Sequence, residues 1–314
     1  MSSANGSIIL SIVIPTLQPE KYLPALFETM AELDLTGCEL MVINQGKNPL
    51  SKALGDMNRL VTTTLSPSHR LSAPSARNFG AEHAKGRFVI FLDDDCTMIA
   101  ENEEFRNLIA ILERNDSDVL LLPKGKLVEG KYIMDWPKRQ KAKLGYFSAP
   151  KYAIEWNSIF NRQLFLEMGG FIEIGPGTDT AAQCGEILVL IFKFLSKKIT
   201  IRLFPRVKIA HPDGHQAQKK SWTVYQYHYG HGFSVGHAIR GIPLLLRLTI
   251  LAGFSLKFLL LLMFPHLQKF TVSADKKYDN AYVRKNIRYV FTGFFDGFSG
   301  KPPRKELPCG RIMR

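Results

Sequence analysis

The chain has 314 residues, of which 46% are hydrophobic, so it is long and apolar enough for one large folded domain, or for a domain with an extension. Its four cysteines lie far apart and form no CxxC pair, which argues against a disulfide framework and indicates free thiols in a reducing compartment. The polar, uncharged first residues do not predict a signal peptide.

The net charge of +13 is concentrated in the last third of the chain. Residues 1–215 carry 25 basic and 24 acidic side chains, whereas residues 216–314 carry 16 and 4. Residues 242–264 form an apolar run in which only Arg247 and Lys257 are charged. Basic residues around such a run favour an anionic membrane surface over nucleic acid. We therefore expect a folded domain at 1–215 and a basic, helical, membrane-associating extension at 216–314.

The first part of the chain has the pattern of a parallel α/β sheet. Residues 8–14 read as a strand, residues 20–33 have the apolar spacing of a helix, and residues 39–43 read as a second strand. A strand–helix–strand unit predicts parallel strands joined by a right-handed crossover. The loops after the two strands, which begin at Pro15 and at Asn44, should then lie at the same edge of the sheet.

A second unit of the same kind follows. Residues 74–85 read as a helix that Ser72 or Ser75 caps at its start and Gly86 stops at its end. Residues 88–92 are an apolar run rich in β-branched and aromatic side chains, which predicts a buried strand.

Three carboxylates, Asp93, Asp94 and Asp95, follow that strand directly. Adjacent carboxylates repel one another and are costly to desolvate without a cation or protons. Ligands bind at the carboxyl ends of strands in open α/β sheets. The triplet therefore predicts a Mg²⁺ or Mn²⁺ site for a phosphorylated ligand, with Asp93 and Asp95 as metal ligands. A solvated acidic turn is the alternative.

These segments resemble the inverting glycosyltransferases of family 2, which have the GT-A fold. The resemblance rests on SIVIPT at the first strand and on an ordered set of residues: Ala76-Arg77-Asn78, Gly80, Ala84, Gly86 and FLDDD. It implies an α/β, Rossmann-like domain that binds a nucleotide diphosphosugar, with the acidic motif holding the diphosphate through a metal.

The resemblance also assigns the nucleotide-binding residues. In the family an acid commonly follows the second strand and reads the uracil base, but Asn44 and Gln45 stand here. We expect a UDP-sugar donor, although this departure leaves the nucleotide open. The expected nucleotide-binding residues are Pro15, Thr16, Asn44, Gln45, Arg77, Asn78, Asp93 and Asp94.

The catalytic base is expected further along the chain. A Gly169-Gly170-Phe171 turn precedes a glycine-rich, flexible loop, and Glu186 then lies in the first turn of a helix, where the helix dipole favours the ionised carboxylate. The resemblance implies that Glu186 is the base. The second acid often found beside it in the family is absent, and Asp179 is the reserve candidate.

The remaining segments carry weaker signals. His211 follows a predicted strand and is either a metal ligand, joining Asp93 and Asp95, or a structural histidine. Residues 124–151 are basic and predict a long excursion over the active-site edge, or a solvated basic surface. Further strands are expected at 60–65, 119–122, 153–160, 199–204 and 207–210. Further helices are expected at 105–112, 162–168 and 222–237.

Two other functions compete with this interpretation. Asp93, Asp95 and Thr97 fit the D-x-D-x-T motif of haloacid-dehalogenase-like phosphatases, but no later acidic pair follows. The second alternative is a non-enzymatic nucleic-acid-binding protein, and the apolar run at 242–264 argues against it.

The sequence thus predicts a metal-dependent, inverting glycosyltransferase that acts on a lipid-linked or growing surface polysaccharide such as a capsule. We expect it at the cytoplasmic face of the membrane, as a peripheral or monotopic protein that binds no nucleic acid. The sugar, the linkage and the acceptor are not predicted.

Overall fold

The structure is a computed structural model that describes residues 7–55, 60–128, 131–134, 144–212, 224–263 and 280–307. The chain divides into two compact units. The first comprises Met1–Ile172 and Lys197–Lys220, and the second comprises Glu173–Ser196 and Ser221–Arg314. Glu186 therefore belongs to the second unit, although its position in the sequence falls before residue 215.

The first unit is built on β-strands. In chain order they are β1 (Leu10–Thr16), β2 (Cys38–Asn44), β3 (Thr63–Leu65), β4 (Phe88–Phe91), β5 (Thr97–Ile99), β6 (Val119–Leu121), β7 (Lys124–Val128), β8 (Lys131–Met134), β9 (Ser158–Asn161), β10 (Ile201–Leu203) and β11 (Lys208–Pro212). Its helices are α1 (Pro19–Ala31), α2 (Leu50–Leu54), α3 (Ala73–His83), α4 (Asn102–Arg114), α5 (Ala149–Tyr152) and α6 (Arg162–Glu167).

The large sheet has the strand order β10-β6-β9-β4-β1-β2-β3. Strand β1 pairs in parallel with both β2 and β4, and β2 pairs in parallel with β3, as the sequence predicts. Thr16 is in register with Asn44 at the carboxyl ends of β1 and β2. The chain that follows β4 leaves the sheet at the same edge, because β4 runs parallel to β1.

The core explains why these segments form these elements. Helix α1 buries the four residues that its apolar spacing places on one face: Leu23, Leu26, Phe27 and Met30. Every residue of β4 is buried, which fits a central strand covered on both faces. Complete burial of such a side chain contributes about 1.5–3 kcal/mol.

Residues 124–134 were predicted to belong to a long excursion over the active-site edge, or to a solvated basic surface. In the structure they form two strands of a small second sheet. Strands β7 and β8 form an antiparallel hairpin, and together with β5 and β11 they make a sheet of order β5-β11-β7-β8. The pairing partner of β7 is β11, which lies far along the chain, so local sequence patterns did not reveal it. Residues 135–143 of the predicted excursion lie outside the described residues.

Gly86 has a different role from the predicted one. Ser72 caps α3, accepting a hydrogen bond from the Ser75 backbone N–H at 3.2 Å, but the helix ends at His83, with Ala84 as its C-cap residue. Gly86 instead approaches β1, where a Cβ would lie 2.6 Å from the backbone nitrogen of Ser11. Its N–H donates to Ser11 Oγ at 2.8 Å. The glycine is thus required by close contact with β1.

We predict that Gly86→Ala lowers the free energy of unfolding of the first unit by about 1–3 kcal/mol, the usual effect of overpacking. Gly145→Ala is the matched control, because a Cβ there meets nothing within 4 Å. Urea unfolding curves of the two variants measure the difference. Equal stabilities would contradict the close-contact role of Gly86.

The second unit is helical in its described part. It contains α7 (Glu186–Ser196), α8 (Val224–Ile239), α9 (Leu244–Met263) and α10 (Asn280–Ser299). Helices α8 and α10 approach through reciprocal glycines, since Gly232 and Gly236 lie against the α10 backbone and Gly293 and Gly297 against the α8 backbone. The aromatic, glycine-rich stretch near residue 295 is therefore a helix–helix contact, with Phe294 buried and Phe295 exposed.

Helix α9 carries the apolar run. Among the side chains of α9 that the structure describes, the exposed large hydrophobic ones are Leu244, Leu245, Leu248, Leu256 and Met263. None of the helices within the described ranges combines the length and apolar character needed to cross a membrane. The Arg247 guanidinium donates to the backbone carbonyls of Arg240 and Ile242, at 2.7 and 3.1 Å.

Cys38, Cys96 and Cys184 are free thiols, as predicted, and Cys309 lies outside the described residues.

Candidate active site

A cluster of two carboxylates and an imidazole forms at the edge where β1, β2 and β4 end. Nε2 of His211 lies 3.2 Å from Oδ1 of Asp95 and 3.7 Å from Oδ2 of Asp93. Asp93, Asp95 and His211 each offer one ligand atom, and these atoms all lie within 4.8 Å of one another. The structure thus brings together the three residues that the sequence predicts as metal ligands.

Strand pairing explains how His211 reaches the acidic triplet. Strand β11 runs antiparallel to β5, with Ala210 in register with Thr97, so the next residue of β11 lies beside the chain that precedes β5. The His211 ring stacks on Trp156, with ring centroids 5.4 Å apart and an interplanar angle of 18°. Nδ1 of His211 lies 2.8 Å from the Pro212 carbonyl oxygen. These contacts fix the ring with Nε2 towards the carboxylates.

The carboxylates determine the charge of His211. Burial alone would lower the pKa of His211, but the hydrogen bond and charge of Asp95, the charge of Asp93 and the Pro212 carbonyl together raise it from 6.5 to about 9. Without a metal, the imidazole is therefore protonated at neutral pH and balances part of the negative charge.

Arg77 supplies the second counter-charge. Its Nη2 lies 2.7 Å from Oδ1 of Asp93, and its side chain is 7% exposed. The guanidinium also lies over the Phe171 ring, 5.9 Å from the centroid. A buried arginine paired to a carboxylate lowers the electrostatic cost of placing that carboxylate beside two others.

Asp94 contacts β1. The Thr16 hydroxyl donates to Oδ2 of Asp94 at 2.5 Å. Burial raises the pKa of Asp94 to about 7, the charges of Asp95 and Asp93 act in the same direction, and the Thr16 hydrogen bond opposes them.

The other predicted nucleotide-binding residues have largely structural contacts. Asn44 accepts from the Gly46 N–H at 2.9 Å and donates to the Asn48 carbonyl at 3.0 Å. Gln45 accepts from the Leu71 N–H at 2.6 Å. These amides hold the loop after β2, next to Thr16, and a role in reading the base stays a prediction.

Asn78 is reassigned. Its side-chain amide donates to the Phe171 carbonyl at 2.8 Å and accepts from the Phe171 N–H at 2.9 Å, so both ends bind the turn after α6. We interpret it as a structural residue rather than a nucleotide ligand. Pro15 lies within β1, in register with Ile43 of β2.

The cluster fits a divalent metal ion. Carboxylate oxygens suit Mg²⁺ and Mn²⁺, and an added imidazole is compatible with Mn²⁺. A ligating histidine usually donates its other ring N–H to a carbonyl or carboxylate, and the contact between His211 and Pro212 has this form.

Glu186 lies in the second unit, at the start of α7, and is 3% exposed. Gly185 before it has a φ of 100°, which lets the chain turn into the helix. Gly175, with a φ of 126°, lies against the carboxylate, because a Cβ there would be 2.9 Å from Oε1. Asp179, the reserve candidate, is 84% exposed and pairs with Lys305 at 2.7 Å.

Several solved structures of glycosyltransferases share this fold. The chain superposes on residues 1–349 of Staphylococcus aureus TarS in complex with UDP-GlcNAc with a TM-score of 0.61, 18% identity and coverage of 93% of this chain and 92% of that one. For the mannosyltransferase PcManGT from Pyrobaculum calidifontis, in complex with GDP-Man and Mn²⁺, the TM-score is 0.56 at 14% identity, with 93% and 88% coverage. The fold is thus an α/β, GT-A-like glycosyltransferase fold.

The sequence places the chain in a family. Residues 11–170, just over half of the chain, match the family described as Glycosyl transferase family 2, and the chain belongs to that family. A curated relative, the poly(ribitol-phosphate) beta-N-acetylglucosaminyltransferase TarS of S. aureus, is 29% identical over 130 residues, which are 39% of this chain. The match spans only 22% of that relative's length.

The predicted glycosyltransferase family is thereby confirmed. The two competing predictions, a haloacid-dehalogenase-like phosphatase and a nucleic-acid-binding protein, find no support.

Sequence reasoning missed two features of the site. Trp156 was read only as part of a predicted strand, yet it stacks on His211. Arg77 was predicted to bind nucleotide, and its ion pair with Asp93 was not foreseen. Neither contact has a local sequence signal, because each joins residues that only the fold brings together.

Proposed function

We propose that this family 2 enzyme transfers a sugar, with inversion, from a UDP-sugar to a hydroxyl group of a lipid-linked or growing surface polysaccharide. The Asp93, Asp95 and His211 cluster at the strand edge is the observation that carries the proposal. The TarS relative and its complex with UDP-GlcNAc make N-acetylglucosamine the first donor sugar to test, and a polyol-phosphate polymer the first acceptor.

The residues of the cluster would hold Mg²⁺ or Mn²⁺. A divalent ion there supplies positive charge for the diphosphate that leaves with the nucleoside. Arg77 keeps Asp93 in place beside the other carboxylates, and the stacked Trp156 and the Pro212 carbonyl orient His211.

Glu186 is the proposed base. It accepts the proton of the acceptor hydroxyl as that oxygen bonds to the anomeric carbon, while the bond from this carbon to the diphosphate oxygen breaks and its electron pair leaves with the nucleoside diphosphate. Attack from the opposite face inverts the configuration. Glu186 lies in the first turn of α7, where the helix dipole favours the ionised form that a base requires.

We expect Asp95→Asn to lose metal-dependent donor binding. Loss of even an outer-shell partner weakens metal sites about 10–100-fold, and Asp95 would be a direct ligand. Calorimetry with UDP, with and without Mn²⁺, measures the effect, and Asp116→Asn, at an exposed acid, is the matched control.

The pH dependence is a second arm of that experiment. A metal must displace the His211 proton, so affinity for Mn²⁺ should rise with pH up to about 9, the pKa of that group. Metal-dependent affinity that is unchanged in Asp95→Asn, or that is flat over this pH range, would contradict the assignment.

For Glu186→Gln we predict normal UDP affinity and a transfer rate about 10²–10⁴-fold lower, the usual contribution of a positioned base. The amide keeps the size of the side chain but cannot accept the proton. Single-turnover transfer from UDP-GlcNAc measures the rate. If Glu186→Gln transfers sugar at close to the original rate, Glu186 is not the base and Asp179→Asn becomes the next variant.

We also propose that α9 holds the enzyme at the cytoplasmic face of the membrane by lying in the interface. The exposed leucines of α9 and the basic excess of residues 216–314 support this.

Replacing Leu245 and Leu248 by Gln should weaken binding to vesicles that contain anionic lipid by at least about tenfold, since each buried Leu contributes about 1.5–3 kcal/mol. Ile133→Gln removes an exposed hydrophobic residue of the first unit and is the control. Flotation assays measure binding. Equal binding of both variants would rule out attachment through α9.

A further inference from the structure

The loop that leads into Glu186 is held by a segment more than a hundred residues away, Lys301–Glu306, which we call the strap. We infer that the ion pair between Arg304 and the buried carboxylate of Asp296 positions Glu186 by fixing this strap against the loop. The inference rests on the proposed role of Glu186 as the base, and all the contacts lie within the second unit.

The strap is anchored by a charged network around one buried carboxylate. Asp296, on α10, is 5% exposed. Arg304 binds its carboxylate with two nitrogens, Nε to Oδ2 at 2.6 Å and Nη2 to Oδ1 at 3.3 Å. The Tyr229 hydroxyl donates to the same Oδ2 at 3.1 Å and accepts from the Arg304 backbone N–H at 2.9 Å. Both the side chain and the backbone of Arg304 are therefore fixed to α8 and α10.

The backbone of Arg304 in turn holds the loop. The Ala181 N–H donates to the Arg304 carbonyl at 2.6 Å, and the carbonyl of the next residue, Ala182, accepts from the Gly175 N–H at 2.8 Å. Gly175 is the residue whose missing side chain leaves room for the Glu186 carboxylate. A continuous set of hydrogen bonds and one close contact thus joins Asp296 to Glu186.

The other side of the loop rests on α8. Gly230 lies against the backbone of Gln183 and Cys184, where a Cβ would come within 2.9 Å of both. The Ser234 hydroxyl also lies 3.3 Å from the Cys184 carbonyl. Both α8 and the strap thus contact the loop, and the strap is where a side-chain change can loosen it without altering Glu186 or its helix.

The network also has the chemistry of a positioning device. A buried carboxylate is costly unless its partners satisfy it, and Asp296 has two such partners in Arg304 and Tyr229. Arginine binds a carboxylate with a planar fork that lysine does not reproduce. A bidentate pair therefore fixes the direction of the strap as well as its distance.

The test is a double-mutant cycle between the strap and the base. Arg304→Lys and Tyr229→Phe are each made in the wild-type chain and in Glu186→Gln, with Lys301→Ala, at an exposed side chain of the strap, as the control. In the wild-type chain we expect kcat to fall about 10–100-fold, the effect of a misplacement of about 1 Å, with UDP affinity unchanged. In Glu186→Gln the same changes should lower the residual rate less than about twofold, because residues that act as a unit are not additive.

Three outcomes would overturn the inference: an equal loss in both backgrounds, an unchanged kcat in the wild-type background, or a loss of UDP affinity. If Arg304→Lys fails to fold, Tyr229→Phe decides, since it removes one hydroxyl and keeps the ring. A Glu186→Gln enzyme with full activity would instead refute the proposed base. Failure of that assignment is therefore distinguishable from failure of the strap.

Discussion

The repulsion among three adjacent carboxylates at the end of β4 is the constraint on which the first unit depends. Their charges must be balanced or hydrogen-bonded, and each partner comes from a different element. Arg77 of α3 binds Asp93, His211 of β11 lies against Asp95, and Thr16 of β1 binds Asp94. The electrostatics of the triplet thus fix one helix, the large sheet and the small sheet relative to one another within the unit.

The same constraint explains which parts of the site were readable from the sequence. The triplet, the apolar strand before it and the helix before that are consecutive, so their periodicity and their resemblance to family 2 predicted them. His211 was predicted only as one possibility, since its approach depends on pairing between β11 and β5. The stacking of Trp156 and the ion pair of Arg77 depend on contacts across the fold, which no local pattern encodes.

The glycines show what sequence composition predicts and what it leaves open. The glycine-rich stretch before Glu186 was predicted to be a flexible loop. In the structure Gly175, Gly177 and Gly185 all have positive φ, between 85° and 126°, so they give the loop a backbone path that other residues rarely adopt. Gly86 was read as a helix stop, and it proves to be a point of close contact. In both cases the sequence indicated that glycine permits an unusual backbone conformation. Which role each glycine has depends on the hydrogen bonds and contacts around it, and these come from the fold.

The apolar helix α9 contains a basic residue whose charge has a partner within the second unit. Basic residues around this run predicted an anionic membrane surface, but the Arg247 guanidinium binds the carbonyls of Arg240 and Ile242, close to the end of α8, where backbone acceptors lack helical partners. Its charge is thus already used inside the second unit. If α9 does lie in a membrane interface, its exposed leucines must supply most of the attraction, and the electrostatic share must come from other basic residues of the extension. The proposed attachment therefore rests on apolar contact first and on net charge second.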